Sequence, residues 1–193
     1  IHLAWKDEGP VTDGAGLRLL PSVSFADCPQ ADILFVPGGP GQLALMEDAE
    51  VLEFLRRQAA GAHYITSVCT GSLVLAAAGL LTGYRATCHW LSLDQLGYFG
   101  VEPVAERVVV DRNRVTGAGV TSGIDFALRL MAQLYGEERT RQVQLAMEYD
   151  PHPPFDDGSP RSAGSATIAA VEKNTAAFQE KRREVARKVG ASL

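Results

Sequence analysis

The chain has 193 residues, a formal net charge of −5, 46% hydrophobic and 21% charged residues, the profile of one large α/β domain with a sizeable core. That acidic balance creates no field drawing it to nucleic acid or an anionic membrane, and no run of about eighteen apolar residues is present to span one. Its three cysteines, Cys28, Cys69 and Cys88, are odd in number and widely spaced, which excludes a disulfide framework and points to a reducing, cytoplasmic setting.

In chain order, strands are predicted over 1–5, 17–20 and 32–37. The last, Asp32-Ile33-Leu34-Phe35-Val36-Pro37, is a continuous apolar run, as expected of a strand buried on both faces of a parallel sheet. It stops at Pro37-Gly38-Gly39-Pro40-Gly41. A helix is predicted over 48–60, where Val51, Leu55 and Ala59 are spaced for one buried face. Strand 63–68 then leads through Cys69 into a helix over 72–81, followed by a short strand over 85–90 and a helix over 91–97. Residues 101–117 hold two apolar runs around Asp111-Arg112-Asn113-Arg114, the pattern of a hairpin. A long helix follows, with Ile124, Ala127, Leu128, Met131 and Leu134 at helical spacing. Such alternation of strands and helices implies an open, mostly parallel sheet with helices on both faces.

After Tyr149 the composition changes. Asp150-Pro151-His152-Pro153-Pro154-Phe155 and the Asp, Gly and Ser residues behind it form an extended wrap. The tail 166–190 is a predicted helix carrying Ile168, Val171, Thr175, Phe178, Arg182, Val185 and Val189 at alternating three- and four-residue steps. That stripe is too mixed for a free coiled coil and is expected to dock on this domain or on a partner subunit. The chain therefore reads as one domain over 1–193, with a core over 1–149 and a C-terminal wrap and helix over 150–193.

The segment Ile65-Thr66-Ser67-Val68-Cys69-Thr70-Gly71 carries the chemistry. A β-branched run ends in a cysteine and a helix begins at once, the layout of a nucleophile elbow with sulfur in place of a serine hydroxyl. Such a turn needs small residues two before and two after the nucleophile, and these are Ser67 and Gly71. Free N–H groups at the helix start favour a thiolate at Cys69; the competing reading is a buried core cysteine. The loop at Gly38 and Gly39 also lies at a strand carboxyl end, where ligands of open α/β sheets sit. The Gly39 N–H, with that of Thr70, would form an anion-stabilising pair beside the sulfur, unless the loop is only a tight turn. His89 could orient or acidify Cys69 or be a structural histidine. Alternation along strand 85–90 puts Cys88 and His89 on opposite faces. No CxxC or HxxxH pair supports a zinc site, Cys28 is expected to be chemically idle, and His152 belongs to the wrap.

Pro37-Gly38-Gly39, Val68-Cys69-Thr70-Gly71-Ser72, Ala86-Thr87-Cys88-His89-Trp90 and Gly123-Ile124-Asp125 resemble the DJ-1/PfpI superfamily. Together with Glu148-Tyr149-Asp150, Pro153-Pro154-Phe155 and Gly158-Ser159-Pro160, they are most similar to its isocyanide hydratase branch. The resemblance implies a flavodoxin-like α/β fold of the class I glutamine amidotransferase type, a homodimer, and cysteine catalysis without metal or organic cofactor. Thr70 stands where members acting as proteases or chaperones often have a histidine, which weakens a protease reading. The family also carries an acidic residue in the loop after its first strand. Ile1 aligns with the start of the family's second strand, so that strand, its helix and the acid are expected on roughly thirty further residues.

The expected reaction is a hydro-lyase step. Cys69 adds to the terminal carbon of a small isocyanide, an acid protonates that carbon, and water releases an N-substituted formamide from the thioimidate. Thr70 holds the water or the acid; Gly38, Gly39, Thr70 and His89 line the substrate. Two alternatives remain: a glyoxalase-type enzyme acting on small α-oxoaldehydes, and a ligand-sensing domain related to AraC-type regulators, which share the Ala-Thr-x-His-Trp segment. Only about 43 residues follow Asp150, too few for the paired helix-turn-helix units such regulators append.

Overall fold

The computed structural model describes residues 1–193. At the amino end, β1 (Ala4–Trp5) pairs in parallel with β4 (Val23–Ser24), while β2 (Val11–Thr12) and β3 (Arg18–Leu19) form a small antiparallel hairpin between them. The run over 17–20 is thus part of that exposed hairpin and no part of the main sheet. β1 and β4 are fastened to the helix behind them by aromatic stacking. Phe25 lies 4.0 Å from Phe54, and Trp5 meets Phe25 edge-on at 5.8 Å.

The main sheet is built from β5 (Ile33–Val36), β6 (Tyr64–Val68), β9 (Val108–Asp111) and β10 (Arg114–Gly117), in the order β5-β6-β10-β9. Its first two pairings are parallel and the β10–β9 pairing is the antiparallel hairpin expected from 101–117. Helices follow the strands: α1 (Gln42–Leu45), α2 (Ala49–Ala59), α3 (Gly71–Ala77), α4 (Ser122–Tyr135), α5 (Glu137–Ala146) and α6 (Ser165–Gly190). β7 (Arg85–Ala86) pairs in parallel with β8 (Glu102–Pro103), with a 3₁₀ helix over Trp90–Phe99 between them. This is a flavodoxin-like α/β sandwich. No helix is long and apolar enough to cross a membrane.

α3 is the centre of the core. Leu73, Val74, Leu75 and Ala76 are all fully buried, because β5 and β6 cover one side and α2, the 3₁₀ helix and α6 cover the other. Each such aliphatic side chain contributes about 1.5–3 kcal/mol. α2 begins at Asp48, whose carboxylate accepts from the Val51 N–H at 3.2 Å, and buries Val51, Leu52, Phe54 and Leu55.

Three expectations are corrected. β5 is covered on one face only: Leu34 and Val36 are buried while Ile33 and Phe35 are 38% and 48% exposed, because α4 lies over β10, β9 and β6 instead. α3 stops at Ala77, not 81. Gly79 turns to φ +77°, its N–H donates to Ala76 O, and the Leu80 N–H closes on Leu75 O at 3.0 Å, a Schellman ending. α4 presents Ser122, Phe126 and Leu130 to the sheet, leaving Ile124, Leu134 and Tyr135 exposed; its helix is broken at Gly136 (φ 83°), after which α5 starts. The tail helix docks on this domain, as expected, most tightly through its carboxyl half, where Arg182 and Ala186 are buried.

Gly79→Ala is expected to lower stability by about 1 kcal/mol, because its positive φ lies in open space with no neighbour within 4 Å to supply another cost. Chemical denaturation of the purified protein measures it.

Candidate active site

β6 ends at Val68 and α3 begins at Gly71, so Cys69 and Thr70 must reverse the chain in two residues. Cys69 does so with φ 60°, a left-handed conformation costing on the order of 1 kcal/mol for a residue with a side chain. The Cys69 N–H donates to Gly117 O at 2.9 Å, extending the β6–β10 ladder one residue past the strand. Gly71 is fixed by space: a Cβ there would lie 2.1 Å from Val36 O and 2.8 Å from Pro37 O. The elbow expected from the sequence is present, and Cys69 is half-buried rather than sealed in the core.

The glycine loop lies directly on this turn. A Cβ on Gly38 would stand 2.7 Å from Thr70 N and 2.8 Å from Cys69 Cβ, so only a glycine lets the two strand ends come this close. Gly39, at φ 131°, donates its N–H to Thr70 Oγ1 at 3.1 Å. This corrects one expectation. The Gly39 N–H is engaged by the threonine hydroxyl and does not stand free beside the sulfur, whereas the Thr70 N–H has no acceptor within the chain. Gly38, Gly39, Cys69 and Thr70 are thus brought together, with the hydroxyl of Thr70 as the link.

His89 sits at the start of the 3₁₀ helix. The expected strand over 85–90 ends at Ala86, because Thr87–His89 turns into that helix. Its Nδ1 accepts from the Leu91 N–H at 3.3 Å, which places the neutral ring's proton on Nε2. Burial, and then the charge of Arg182, hold its pKa below the ordinary histidine value. The ring packs beside Gly119, 3.7 Å from where that residue's Cβ would be, and makes no hydrogen bond to Cys69. Cys88 is fully buried, and desolvation pushes its thiol far above the usual range. Cys28 is also raised by burial, and its sulfur meets only Pro29 O at 3.5 Å. Nowhere do three His, Cys, Asp or Glu side chains converge to hold a metal ion.

A chain of buried hydroxyls braces the elbow and was not anticipated from the sequence. Ser67 Oγ meets Ser72 Oγ at 2.8 Å, Ser72 Oγ donates to Thr87 O at 2.7 Å, and the Thr87 N–H donates to Thr116 Oγ1 at 2.9 Å. These residues tie β6, α3, the His89 turn and β10 together. The signal was a cluster of hydroxyl residues in an apolar context, which the requirement for small residues at Ser67 had already explained. A cavity of about 510 Å³ lies at the amino ends of β5 and β6 and is lined in part by Asp32, His63, Arg112 and Tyr135; no residue of the cysteine site lines it.

Comparison with known proteins places these features in a family. Residues 1–133 match the model of the DJ-1/PfpI family. Over 193 residues the chain is 52% identical to an isonitrile hydratase of Pseudomonas putida, covering all of this chain and 85% of that one. It is 32% identical over 145 residues to a glutathione-independent glyoxalase, DJR-1.2, of Caenorhabditis elegans, covering 74% of this chain and 77% of the other. The crystal structure of a ThiJ/PfpI family protein from Pseudomonas syringae superposes with a TM-score of 0.92 at 47% identity, covering 96% of this chain and 77% of that one.

His89 makes the site's stability sensitive to acid. Its lowered folded-state pKa means that the unfolded chain binds more protons as pH falls through about 6.5, so stability declines below that value. His89→Asn, which keeps an acceptor for the Leu91 N–H, is expected to flatten this slope in urea titrations run between pH 7 and 5.

Proposed function

The chain belongs to the DJ-1/PfpI family, and from that premise we propose that it is an isocyanide hydratase-like, cysteine-dependent hydro-lyase. One observation carries the reading: a strained, accessible cysteine at φ 60° in a chain that matches an isonitrile hydratase along its whole length. The isocyanide carbon has a lone pair and no hydrogen. Attack by the Cys69 thiolate forms the C–S bond while that carbon takes a proton, giving a thioimidate. Water then adds to the same carbon and nitrogen takes a proton. The C–S bond breaks, sulfur leaves as thiolate, and the hydroxyl proton is lost, so the net change is addition of one water to give a formamide.

The Thr70 N–H is the donor best placed for negative charge developing next to sulfur. Its hydroxyl, already bonded to the Gly39 N–H at 3.1 Å, has a lone pair left to hold water. His89 borders the substrate space as a neutral ring. No carboxylate hydrogen-bonds the Cys69 sulfur, and in this reading water held at Thr70 Oγ1 supplies the proton for carbon. No step calls for a metal or organic cofactor.

Cys69→Ala is expected to abolish formamide production from a simple isocyanide, by at least about a thousandfold, with unchanged thermal unfolding. Cys28→Ser is expected to keep wild-type activity. Turnover by Cys69→Ala overturns the reading, and conversion of methylglyoxal in place of the isocyanide assigns the site to glyoxalase chemistry.

We further propose that the working unit is a homodimer. Ile124, Leu134 and Tyr135 of α4, Leu145 and Met147 at the end of α5, and Phe155 of the wrap are all exposed, more apolar surface than one domain commonly leaves to water. Sedimentation at micromolar concentration should give a two-chain species; a monomer contradicts the assignment.

A further inference from the structure

We propose that Arg107, Asp125 and Tyr149 form a latch that fixes residues 118–121 as a wall of the Cys69 site. Arg107 and Asp125 are then positioning residues that limit the size of the group able to reach the sulfur. This role rests on Cys69 as the nucleophile, but not on which substrate it attacks.

The segment runs from the nucleophile to the histidine. Gly117 O accepts the Cys69 N–H at 2.9 Å, and two residues further on a Cβ at Gly119 would lie 3.7 Å from the His89 ring. Beyond that point the chain does little to hold itself. The N–H groups of Gly119, Val120 and Thr121 have no acceptor within the chain. Thr121 is the N-cap of α4, yet its hydroxyl makes no cap, where a threonine ordinarily accepts from the first turn. Arg107 takes both ends of the segment instead. Its carbonyl accepts the Ala118 N–H at 2.9 Å, and its Nη2 donates to Thr121 O at 3.0 Å and to Thr121 Oγ1 at 3.4 Å.

The guanidinium is itself held. Its Nε donates to Asp125 Oδ2, in the first turn of α4, and the same oxygen accepts from Tyr149 OH at 3.1 Å. Tyr149 is delivered there by Glu148, which stands at φ 52° just beyond α5. A side chain is unfavourable in that left-handed region, and the conformation persists where its surroundings over-determine it. Docking α4 does not require this network. Phe126 and Leu130 are already buried with Val68 and Val115 of the sheet, and an ion pair as open to water as Arg107 and Asp125, with side chains 49% and 34% exposed, contributes little to stability. The wrap is fastened to the same stretch, where Arg161 Nη1 donates to Ala105 O at 2.7 Å. What these bonds specify is position: a short wall beside the nucleophile, tied at both ends to one residue.

The test is how strongly the size of an alkylating reagent matters at Cys69. It is read as the rate with iodoacetanilide divided by the rate with iodoacetamide at pH 8, in a Cys28→Ser background, with the modified thiol located by mass spectrometry. Arg107→Met and Asp125→Ala are each expected to raise this ratio about fivefold, and the double variant by about the same factor rather than by the product, because both cut one network. Asp125→Asn, which keeps an oxygen for Arg107 and Tyr149, should stay within about twofold of the parent. A merely structural role would lower the urea midpoint and leave the ratio unchanged. If folded Arg107→Met shows the parent ratio or a lower one, or if the two single effects multiply, the latch does not set the wall and the proposal fails; should Asp125→Ala not fold, Arg107→Met decides. A Cys69 that neither reagent modifies overturns this role and the hydratase reading together. A parent protein that shows the expected ratios yet makes no formamide overturns the hydratase reading and leaves the latch standing.

Discussion

Everything at the carboxyl edge of the sheet depends on two strand ends approaching more closely than side chains allow. The end of β5 presents the carbonyls of Val36 and Pro37 to the first residue of α3, where a Cβ would lie 2.1 Å from one of them. One residue further on, Gly38 rests on Thr70 N and Cys69 Cβ. Glycine at 38 and 71 removes the steric limit, and the resulting proximity aims the Cys69 side chain out of the sheet. The left-handed backbone at Cys69 survives because its neighbours over-determine it. Its N–H continues the ladder to Gly117, and the hydroxyl chain from Ser67 to Thr116 leaves the turn no room to relax.

Around that turn the ionisable groups are unusually sparse. Cys88, in the same region, is disabled by burial and His89 is biased toward the neutral ring. Behind the glycine loop, the buried guanidinium of Arg182, from a helix more than a hundred residues along the chain, bonds Gln42 Oε1 and Ser92 Oγ. Thr70 has a double place in this arrangement, its hydroxyl holding the Gly39 amide while its own amide has no acceptor within the chain.

The periphery follows a different rule. α3 spends its whole surface inside the molecule, whereas α4 packs one narrow stripe, Ser122, Phe126 and Leu130, and leaves a second apolar stripe in water. Along α6, Val171 and Phe178 are likewise partly exposed, at 37% and 36%.

The local chemistry of the chain determined the elbow, the glycine loop, the hairpin over 101–117 and the helix over 49–59. Each depends on residues close in sequence: a β-branched run stopping at a small-residue turn, paired glycines after a strand, an Asp N-cap. The turn at Cys69 was legible for the same reason, because strand, cysteine and helix are consecutive. What lay outside local reach was which face of each element would be covered. β5 reads as buried on both sides until α4 is seen to lie elsewhere, and α4 carries two apolar stripes of which only packing selects one. Likewise, no local pattern says that the Gly39 N–H is taken by Thr70, or that Ser72, Thr87 and Thr116 share one buried chain, since those bonds join residues as many as thirty-one positions apart. Arg182 shows the limit most plainly: in the sequence it is an impurity in an apolar stripe, and it becomes a buried guanidinium bonded to Gln42 Oε1, 140 positions away, only when α6 folds back. Short-range sterics and hydrogen bonding are written along the chain; burial and electrostatics exist only between segments that tertiary structure brings together.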